Sequence, residues 1–338
     1  MGETAGIAEP KLLGGRYSLG TLIGRGGMAA VHRGHDQFLD REVAIKIFRA
    51  AAVDQADADR QEAEIRTLAA LNHPSLVTVL DAGVFVPRPE TPTIFLVMEL
   101  LSGDNLQSHL KHGPLSPGSV ARLGTDLAEG LSYLGERRVV HRDIKPGNIL
   151  LAEYSHRNQR TRAKLIDFGI AQLAGKPQSL TPGTTTGTAP YLSPEQANGE
   201  DVGPPSDIYS LGLVLIECLT GERVFPGDAI PSAMARLIND PRVPESLSRD
   251  WRSLLTSMTA REPYDRIDIA DVVAQLEWIA ATELPHEIVP ARARVSIAAA
   301  ASAYSAAASA AAARSVIAAL SGSSGGLASG RITPAASA

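Results

Sequence analysis

The sequence predicts an α+β protein built as two lobes, a small antiparallel sheet followed by a mostly helical region. Between residues 17 and 49, three segments alternate in polarity and are separated by Gly- and Asp-containing turns, which is typical of antiparallel strands. After Gly103 the apolar residues recur at helical spacing, and this change predicts a lobe boundary. At 338 residues, the chain is long enough for two lobes and a tail.

The predicted elements of the first lobe follow one another in a simple order. The strand segments are YSLGTLIG, AAVHRGHD and REVAIKIF, and later SLVTVLDAG and TIFLVMEL, which the Pro-rich turn VPRPETPT joins. Between these two groups, the stretch from Asp54 to Leu71 is rich in Ala, Glu, Gln, Arg and Leu. Its apolar spacing predicts an amphipathic helix, which Asn72-His73-Pro74 ends.

The second lobe is predicted to contain five main helices and two short strands, NILLA and AKLIDF. From about residue 286 the chain becomes rich in Ala, Ser and Gly and loses almost all bulky apolar residues, so we expect disorder or a fraying helix there rather than a third domain. The predicted helices cover about residues 119–137, 206–220, 228–239, 248–259 and 268–282.

Composition favours a soluble globular protein. Hydrophobic residues make up 44% and charged residues 20% of the chain, and the net charge of -5 gives no footprint of a nucleic-acid binder. The only cysteine, Cys218, lies in the apolar run SLGLVLIECLTG, where a buried small hydrophobe is favoured over a redox group. Neither a signal-peptide core nor a run of about 18 large apolar residues occurs, so we expect a cytoplasmic protein without a membrane span.

A glycine-rich loop, GRGGMAAV, runs from Gly24 to Val31 between two predicted strands. Glycine allows the backbone to approach a phosphate chain closely and to point its N–H groups inward. A plain glycine turn explains this loop equally well when it is taken alone. It is not a dinucleotide-binding fingerprint because it leads into a strand, nor a Walker loop because no Gly-Lys-Ser/Thr follows.

Charged residues at unusual places indicate phosphate chemistry. Lys46 lies within the apolar strand VAIK and either points to solvent or pairs with Glu62 or Glu64 of the following helix. In HRDIKPGN and LIDFGIA, carboxylate and amide groups recur at fixed steps, and their oxygens are hard ligands suited to Mg²⁺. A capped turn explains either motif alone but not the ordered set. The polar residues of these two motifs are Asp143, Lys145, Asn148 and Asp167.

Together, GRGGMAAV, VAIK, HRDIKPGN, DFG, GTAPYLSPE and DIYSLG resemble the protein kinase superfamily, and within it the bacterial eukaryotic-like serine/threonine kinases of actinobacterial type. The resemblance covers about residues 16–280. It implies the two-lobed protein kinase fold, with a five-stranded sheet and one main helix in the first lobe. The implied domains are an N-terminal extension 1–15, an N-lobe 16–101, a C-lobe 102–283 and a tail 284–338.

The resemblance also implies roles for the charged residues. Asp143 would orient the substrate hydroxyl and accept its proton, and Lys145 would steady the phosphoryl group. Asn148 and Asp167 would hold Mg²⁺ or Mn²⁺. Lys46 would contact the α- and β-phosphates of ATP and pair with an acidic residue, for which Glu64 is preferred and Glu62 is the alternative.

The implied nucleotide site combines the glycine loop, an adenine pocket and a hinge that begins at Glu99, with Met98 as gatekeeper. Leu68, Val79, His141 and Phe168 would form the stack that aligns the two lobes. The residues assigned to nucleotide binding are Ile23, Gly24, Arg25, Gly26, Gly27, Met28, Ala29, Ala30, Val31, Ala44, Lys46, Met98, Glu99, Leu101 and Leu150.

Regulation is implied by Arg142, which precedes Asp143 as in kinases whose arginine receives a phosphate from the activation segment. We favour Thr181 and Thr184 as autophosphorylation sites, and Thr188 matches the threonine that typically bonds the catalytic Asp and Lys of serine/threonine kinases. A merely flexible Ser/Thr-rich loop is the alternative. Within the same segment, Glu195 is expected to pair with Arg266 and anchor its end.

The implied function is ATP-dependent phosphorylation of protein Ser and Thr residues in bacterial signalling, with a kinase–kinase dimer for autophosphorylation. A pseudokinase that only binds nucleotide or partners is one alternative, and the presence of all the charged residues argues against it. A small-molecule phosphotransferase is another, and the full segment from Asp167 to Glu195 argues against that.

Overall fold

The computed structural model describes residues 12–26, 29–48, 67, 69–85, 93–152, 161–167 and 189–283. Its first lobe contains the predicted five-stranded sheet, in the order β1-β2-β3-β5-β4, and all neighbouring strands are antiparallel. The predicted helix from Asp54 to Leu71 lies almost entirely outside the described residues. The strands are β1 Tyr17–Arg25, β2 Ala29–Asp36, β3 Arg41–Phe48, β4 Val79–Phe85 and β5 Thr93–Glu99.

The centre of the sheet is closely packed because β2 carries a glycine where a side chain would clash. A Cβ atom at Gly34 would lie 2.3 Å from Cδ1 of Ile45 and 2.8 Å from the carbonyl oxygen of Ser18. Ile45 and Val43 of β3 are fully buried on this face, beside Val97 of β5. The apolar pattern of REVAIKIF is therefore explained by burial in a central strand.

The second lobe is helical, as predicted, with a two-stranded sheet of β6 and β7. The five long helices begin and end within about two residues of their predicted positions, which is the usual uncertainty of helix boundaries. Two five-residue helices, α1 and α3, were not predicted. The elements are α1 Leu106–Leu110, α2 Pro117–Glu136, β6 Ile149–Ala152, β7 Arg162–Leu165, α3 Pro194–Asn198, α4 Pro204–Thr220, α5 Ala229–Ile238, α6 Arg249–Met258 and α7 Ile269–Thr282.

The core of the second lobe forms where α2, α4 and α7 meet. A Cβ atom at Gly124 of α2 would lie 3.1 Å from Leu276 of α7 and 3.2 Å from Leu215 of α4, so this glycine lets the three helices approach closely. Cys218 of α4 is fully buried, and burial raises the pKa of its thiol, which agrees with the interpretation as a small hydrophobe. None of the described helices is long and apolar enough to cross a membrane.

The predicted pair of Glu195 and Arg266 is confirmed. Arg266 donates bidentate hydrogen bonds of 2.6 and 2.8 Å to the two carboxylate oxygens of Glu195, and both side chains are buried. The same guanidinium donates to the carbonyl oxygens of Pro205, Ala260 and Arg261. This pair ties α3 to the start of α4 and to the loop before α7.

Candidate active site

The loop that carries HRDIKPGN lies between α2 and β6, and hydrogen bonds attach its backbone to α4. Asp207 of α4 accepts hydrogen bonds from the backbone N–H groups of His141, at 2.7 Å, and Arg142, at 2.8 Å. Burial raises the pKa of Asp207 to about 7, although the two N–H donors act in the opposite direction. Arg142 has a φ of 64°, a left-handed conformation that the two bonds to Asp207 help to hold.

Three of the predicted site residues form one cluster at the end of this loop. Nζ of Lys145 lies 2.9 and 2.8 Å from the two carboxylate oxygens of Asp143. Nδ2 of Asn148 donates to the same carboxylate at 2.8 Å and to the backbone carbonyl of Asp143 at 2.9 Å. A 3₁₀ turn over Pro146–Asn148 brings the asparagine back towards the aspartate. The spacing of the motif therefore places an ammonium and an amide on one carboxylate.

The two lobes meet through Lys46 and Asp167. Nζ of Lys46, on β3, lies 2.7 Å from Oδ1 of Asp167, which follows β7 and has a φ of 61°. The N–H of Ile166 donates to the carbonyl of Asn148 at 2.9 Å, so the loop after β7 runs beside the loop that carries Asp143. The backbone of Asn148 therefore lies beside the residue that precedes Asp167.

Four residues that were predicted to bind nucleotide lie on one face of the sheet. Val31 of β2 is opposite Lys46 of β3, and Ala44 of β3 is opposite Met98 of β5. Ala44 and Met98 are buried in the main core cluster, whereas Ile23 of β1 is 53% exposed. Several predicted residues lie outside the described part of the chain. They are Gly27, Met28, Glu64, Leu68, Phe168, Thr181, Thr184 and Thr188.

Comparison with known proteins assigns the family. Residues 17–279, most of the chain, match the family described as the protein kinase domain. The chain belongs to the protein kinase family. Members of this family use ATP and a divalent metal ion to phosphorylate proteins. The match includes both lobes and every described residue of the site.

Several relatives of this kinase chain are mycobacterial. Serine/threonine-protein kinase PknB of Mycobacterium tuberculosis is 37% identical over 273 residues, which covers 78% of this chain and 42% of the relative. The PknB proteins of Mycobacterium leprae, at 37% identity over 275 residues, and Mycolicibacterium smegmatis, at 36% over 273 residues, match 78% of the chain and 43% of their own lengths. The chain thus spans less than half the length of these curated relatives.

One ion pair of the kinase hinge was missed by sequence reasoning. Glu99, predicted only as a backbone contact for adenine, accepts hydrogen bonds at Oε1 from Nζ of Lys164, at 2.6 Å, and from the N–H of Thr78, at 2.8 Å. Lys164 is buried and lies on β7, so the pair joins the hinge to the second lobe. The available signal was a lysine in the apolar strand AKLIDF, the same signal that marked Lys46.

His141, one of the residues predicted to align the lobes, is fully buried, and Val79 is buried as well. Burial lowers the pKa of His141 to about 4, against the opposing influence of Asp143 and Asp167, so the imidazole is neutral at pH 7. A neutral, buried ring suits a packing role. The other two members of the predicted stack, Leu68 and Phe168, lie outside the described residues.

The oxygen donors of the site suit a hard divalent cation. Asn148 and Asp167 supply an amide and a carboxylate, and among the described residues no group of three or more His, Cys, Asp or Glu side chains could hold a metal by itself. This donor set fits Mg²⁺, which usually takes one or two protein oxygens and completes its coordination with water and substrate phosphates.

Proposed function

We propose that this chain is a serine/threonine protein kinase that transfers the γ-phosphoryl group of MgATP or MnATP to Ser and Thr hydroxyls of proteins. The observation that carries the proposal is the cluster of Lys145 and Asn148 on the Asp143 carboxylate, together with the interlobe pair of Lys46 and Asp167 on the adjoining loop. The names of the relatives support the serine/threonine class. Lys145 itself matches the serine/threonine form of the catalytic loop.

In this proposal, Asp143 orients the acceptor hydroxyl and takes its proton. Lys145 lies within hydrogen-bond distance of both carboxylate oxygens, so its charge also lies where negative charge develops during transfer. The amide nitrogen of Asn148 is held by Asp143, which directs the amide oxygen of Asn148 away from that carboxylate.

Nucleotide binding is assigned to both lobes. Lys46 would contact the α- and β-phosphates, and Asn148 and Asp167 would hold the metal ion, which neutralises phosphate charge when it is bound. The apolar residues Ile23, Val31, Ala44 and Leu150 would enclose the adenine. The remaining proposed residues of the nucleotide site are Gly24, Arg25, Gly26, Gly27, Met28, Ala29, Ala30, Met98, Glu99 and Leu101. Glu64 is proposed as the acidic partner that aligns Lys46.

Regulation is proposed to act through Arg142. The Nε atom of this guanidinium is buried and has no hydrogen-bond partner among the described residues, a situation that favours an added anion. Autophosphorylation at Thr181 or Thr184, between two copies of the kinase, would supply one. Mass spectrometry should find phosphate between residues 179 and 186 in the active protein and none in Asp143→Asn; full activity without that phosphate would overturn this part.

The experiment that tests the main proposal is transfer from γ-labelled ATP, with Mg²⁺, to a generic basic protein such as myelin basic protein. Asp143→Asn should abolish transfer while the circular dichroism spectrum stays unchanged, because this carboxylate serves the acceptor hydroxyl rather than packing. The exposed Asp201→Asn is the matched control and should keep full activity. Retained transfer in Asp143→Asn would remove the assignment and leave another base or a contaminating kinase as the explanation.

A further inference from the structure

Helix α5 contains a buried cation that the phosphoryl-transfer proposal does not use. Arg236 is 1% exposed, and no carboxylate of the described residues lies within ion-pair distance of it. Burial lowers the pKa of its guanidinium to about 10, so it is still charged at neutral pH. A buried charge needs partners to offset its desolvation, and here backbone oxygens and a ring supply them.

The two terminal nitrogens of Arg236 donate hydrogen bonds to backbone carbonyls of the loop before α3. Nη1 binds the carbonyl oxygen of Leu192, and Nη2 binds that of Ala189. Nη2 also donates to the carbonyl and the hydroxyl of Ser232, at 2.9 and 3.1 Å, and the guanidinium lies 5.0 Å from the ring centre of Phe225. Only a planar fork with several donors can reach all of these oxygens together.

The local structure of the loop explains how one side chain binds both carbonyls. Ala189–Tyr191 form a 3₁₀ turn, in which residues three apart point to the same side. A second helix holds the carbonyl between them, because Oγ of Ser210, on α4, donates to the carbonyl oxygen of Tyr191 at 2.7 Å. Side chains of α4 and α5 therefore turn three backbone oxygens of this loop inward.

The same loop is attached to the catalytic loop. Nε2 of Gln196, in the first turn of α3, donates to the carbonyl of Arg142 at 2.9 Å, and Arg142 is the residue before Asp143. A polypeptide that presents a hydroxyl to Asp143 must therefore pass close to the loop that Arg236 holds. The residues of that loop are themselves buried, so its shape reaches the substrate through Arg142 and Asp143 rather than through exposed surface.

We propose that Arg236 is a positioning residue for the protein substrate, a role that rests on the kinase function proposed above. It touches neither ATP nor the acceptor hydroxyl. By holding the carbonyls of Ala189 and Leu192, it keeps the loop in one conformation before the substrate arrives, so binding does not have to order the loop.

The test is steady-state kinetics of Arg236→Lys with myelin basic protein and with ATP as the varied substrates. A lysine keeps the charge but cannot bridge the two carbonyls, so the KM for the protein should rise about tenfold while the KM for ATP stays within about twofold. We expect kcat at saturating protein to change by less than about threefold.

A matched control is available in the loop between α6 and α7. Arg261 donates to the carbonyls of Leu237 and Ile238 at the end of α5, at 3.0 and 3.2 Å, and to Asp240, without a bond to the loop before α3. Arg261→Lys should therefore leave the KM for the protein within about twofold of the unchanged enzyme.

Ser232→Ala gives a second, milder variant, because it removes one acceptor of Arg236 and keeps the guanidinium. It should raise the KM for the protein about twofold to threefold, and it decides the matter if Arg236→Lys does not fold. An unchanged KM for the protein in a folded Arg236→Lys, or equal losses with ATP and protein, would overturn the positioning role alone. If the unchanged chain transfers no phosphate at all, the kinase proposal fails and this one fails with it.

Discussion

Two ion pairs of this kinase domain have nearly the same N–O distance, 2.6 and 2.7 Å, and differ in their exposure to solvent. Arg266 and Glu195 are 0% and 4% exposed and lie inside the second lobe, whereas Lys46 and Asp167 are 10% and 36% exposed and face each other across the lobes. In the first pair, Arg266 also donates to backbone carbonyls, and burial leaves no space for a ligand to replace either partner. The second has a solvent-accessible carboxylate that a metal ion and phosphates can reach. Exposure, rather than distance, separates a structural pair from one suited to chemistry.

The pair of Lys164 and Glu99 is intermediate, since its side chains are 6% and 27% exposed. It also joins the lobes, but at the hinge and through a carboxylate that the N–H of Thr78 shares. If exposure is the decisive variable, the cost of removing one partner should fall from Arg266–Glu195 to Lys164–Glu99 to Lys46–Asp167.

The largest loss of stability is expected from Glu195→Ala. It leaves the Arg266 guanidinium buried without its carboxylate, and breaking a buried pair from one side typically costs about 3–5 kcal/mol. Urea unfolding followed by circular dichroism measures the change in the free energy of unfolding. A loss below about 1 kcal/mol would mean that the carbonyl partners alone hold Arg266.

Lys164→Met should cost about 1–2 kcal/mol, because Glu99 keeps the Thr78 N–H and some contact with water. The same measurement checks it. Arg33→Met, which breaks the exposed pair of Arg33 and Glu42 within the first lobe, is the control and should cost less. Equal losses for the two variants would contradict the intermediate rank of the hinge pair.

Lys46→Met should change stability by less than about 1 kcal/mol, since its partner Asp167 stays accessible to solvent. Phosphate transfer, by contrast, should be lost in a labelled-ATP assay, because the phosphate contact disappears. A destabilisation as large as that of Glu195→Ala, or retained transfer, would each remove the distinction between the two pairs.

The smallest effect is expected from removal of the tail after about residue 286, which the sequence shows to be poor in bulky apolar residues. The melting temperature and the specific activity should both stay unchanged. A fall of several degrees would show that the tail packs on the kinase domain and that the predicted boundary at residue 284 is wrong.

Sequence reasoning predicted the long elements because they carry a periodic pattern over many residues, as the strand REVAIKIF and the helix around Asp207 do. Helices α1 and α3 were not predicted, because five residues are too few to show the periodic spacing of apolar residues in a helix. For α3 the signal was still present, since Ser193 forms a capping box with Gln196 and Pro194 follows it.

The parts of the site that were predicted are those in which function requires particular side chains close together in sequence, as in HRDIKPGN. The bonds that were missed join residues far apart. Glu99 and Lys164 are 65 residues apart, and Arg236 of α5 donates to backbone carbonyls such as that of Leu192, which leave no mark on residue type. Such contacts depend on tertiary packing and could not be inferred from local pattern.

The support that Asp207 gives to the catalytic loop has a consequence for how such enzymes can diversify. Asp207 holds the loop by its main chain, through the N–H groups of His141 and Arg142, and so neither hydrogen bond uses the side chain at position 142. In the function proposed above, a substitution at position 142 can add or remove sensitivity to phosphorylation without moving Asp143. The residue proposed for regulation and the residue proposed for catalysis, although adjacent in the chain, can therefore evolve independently.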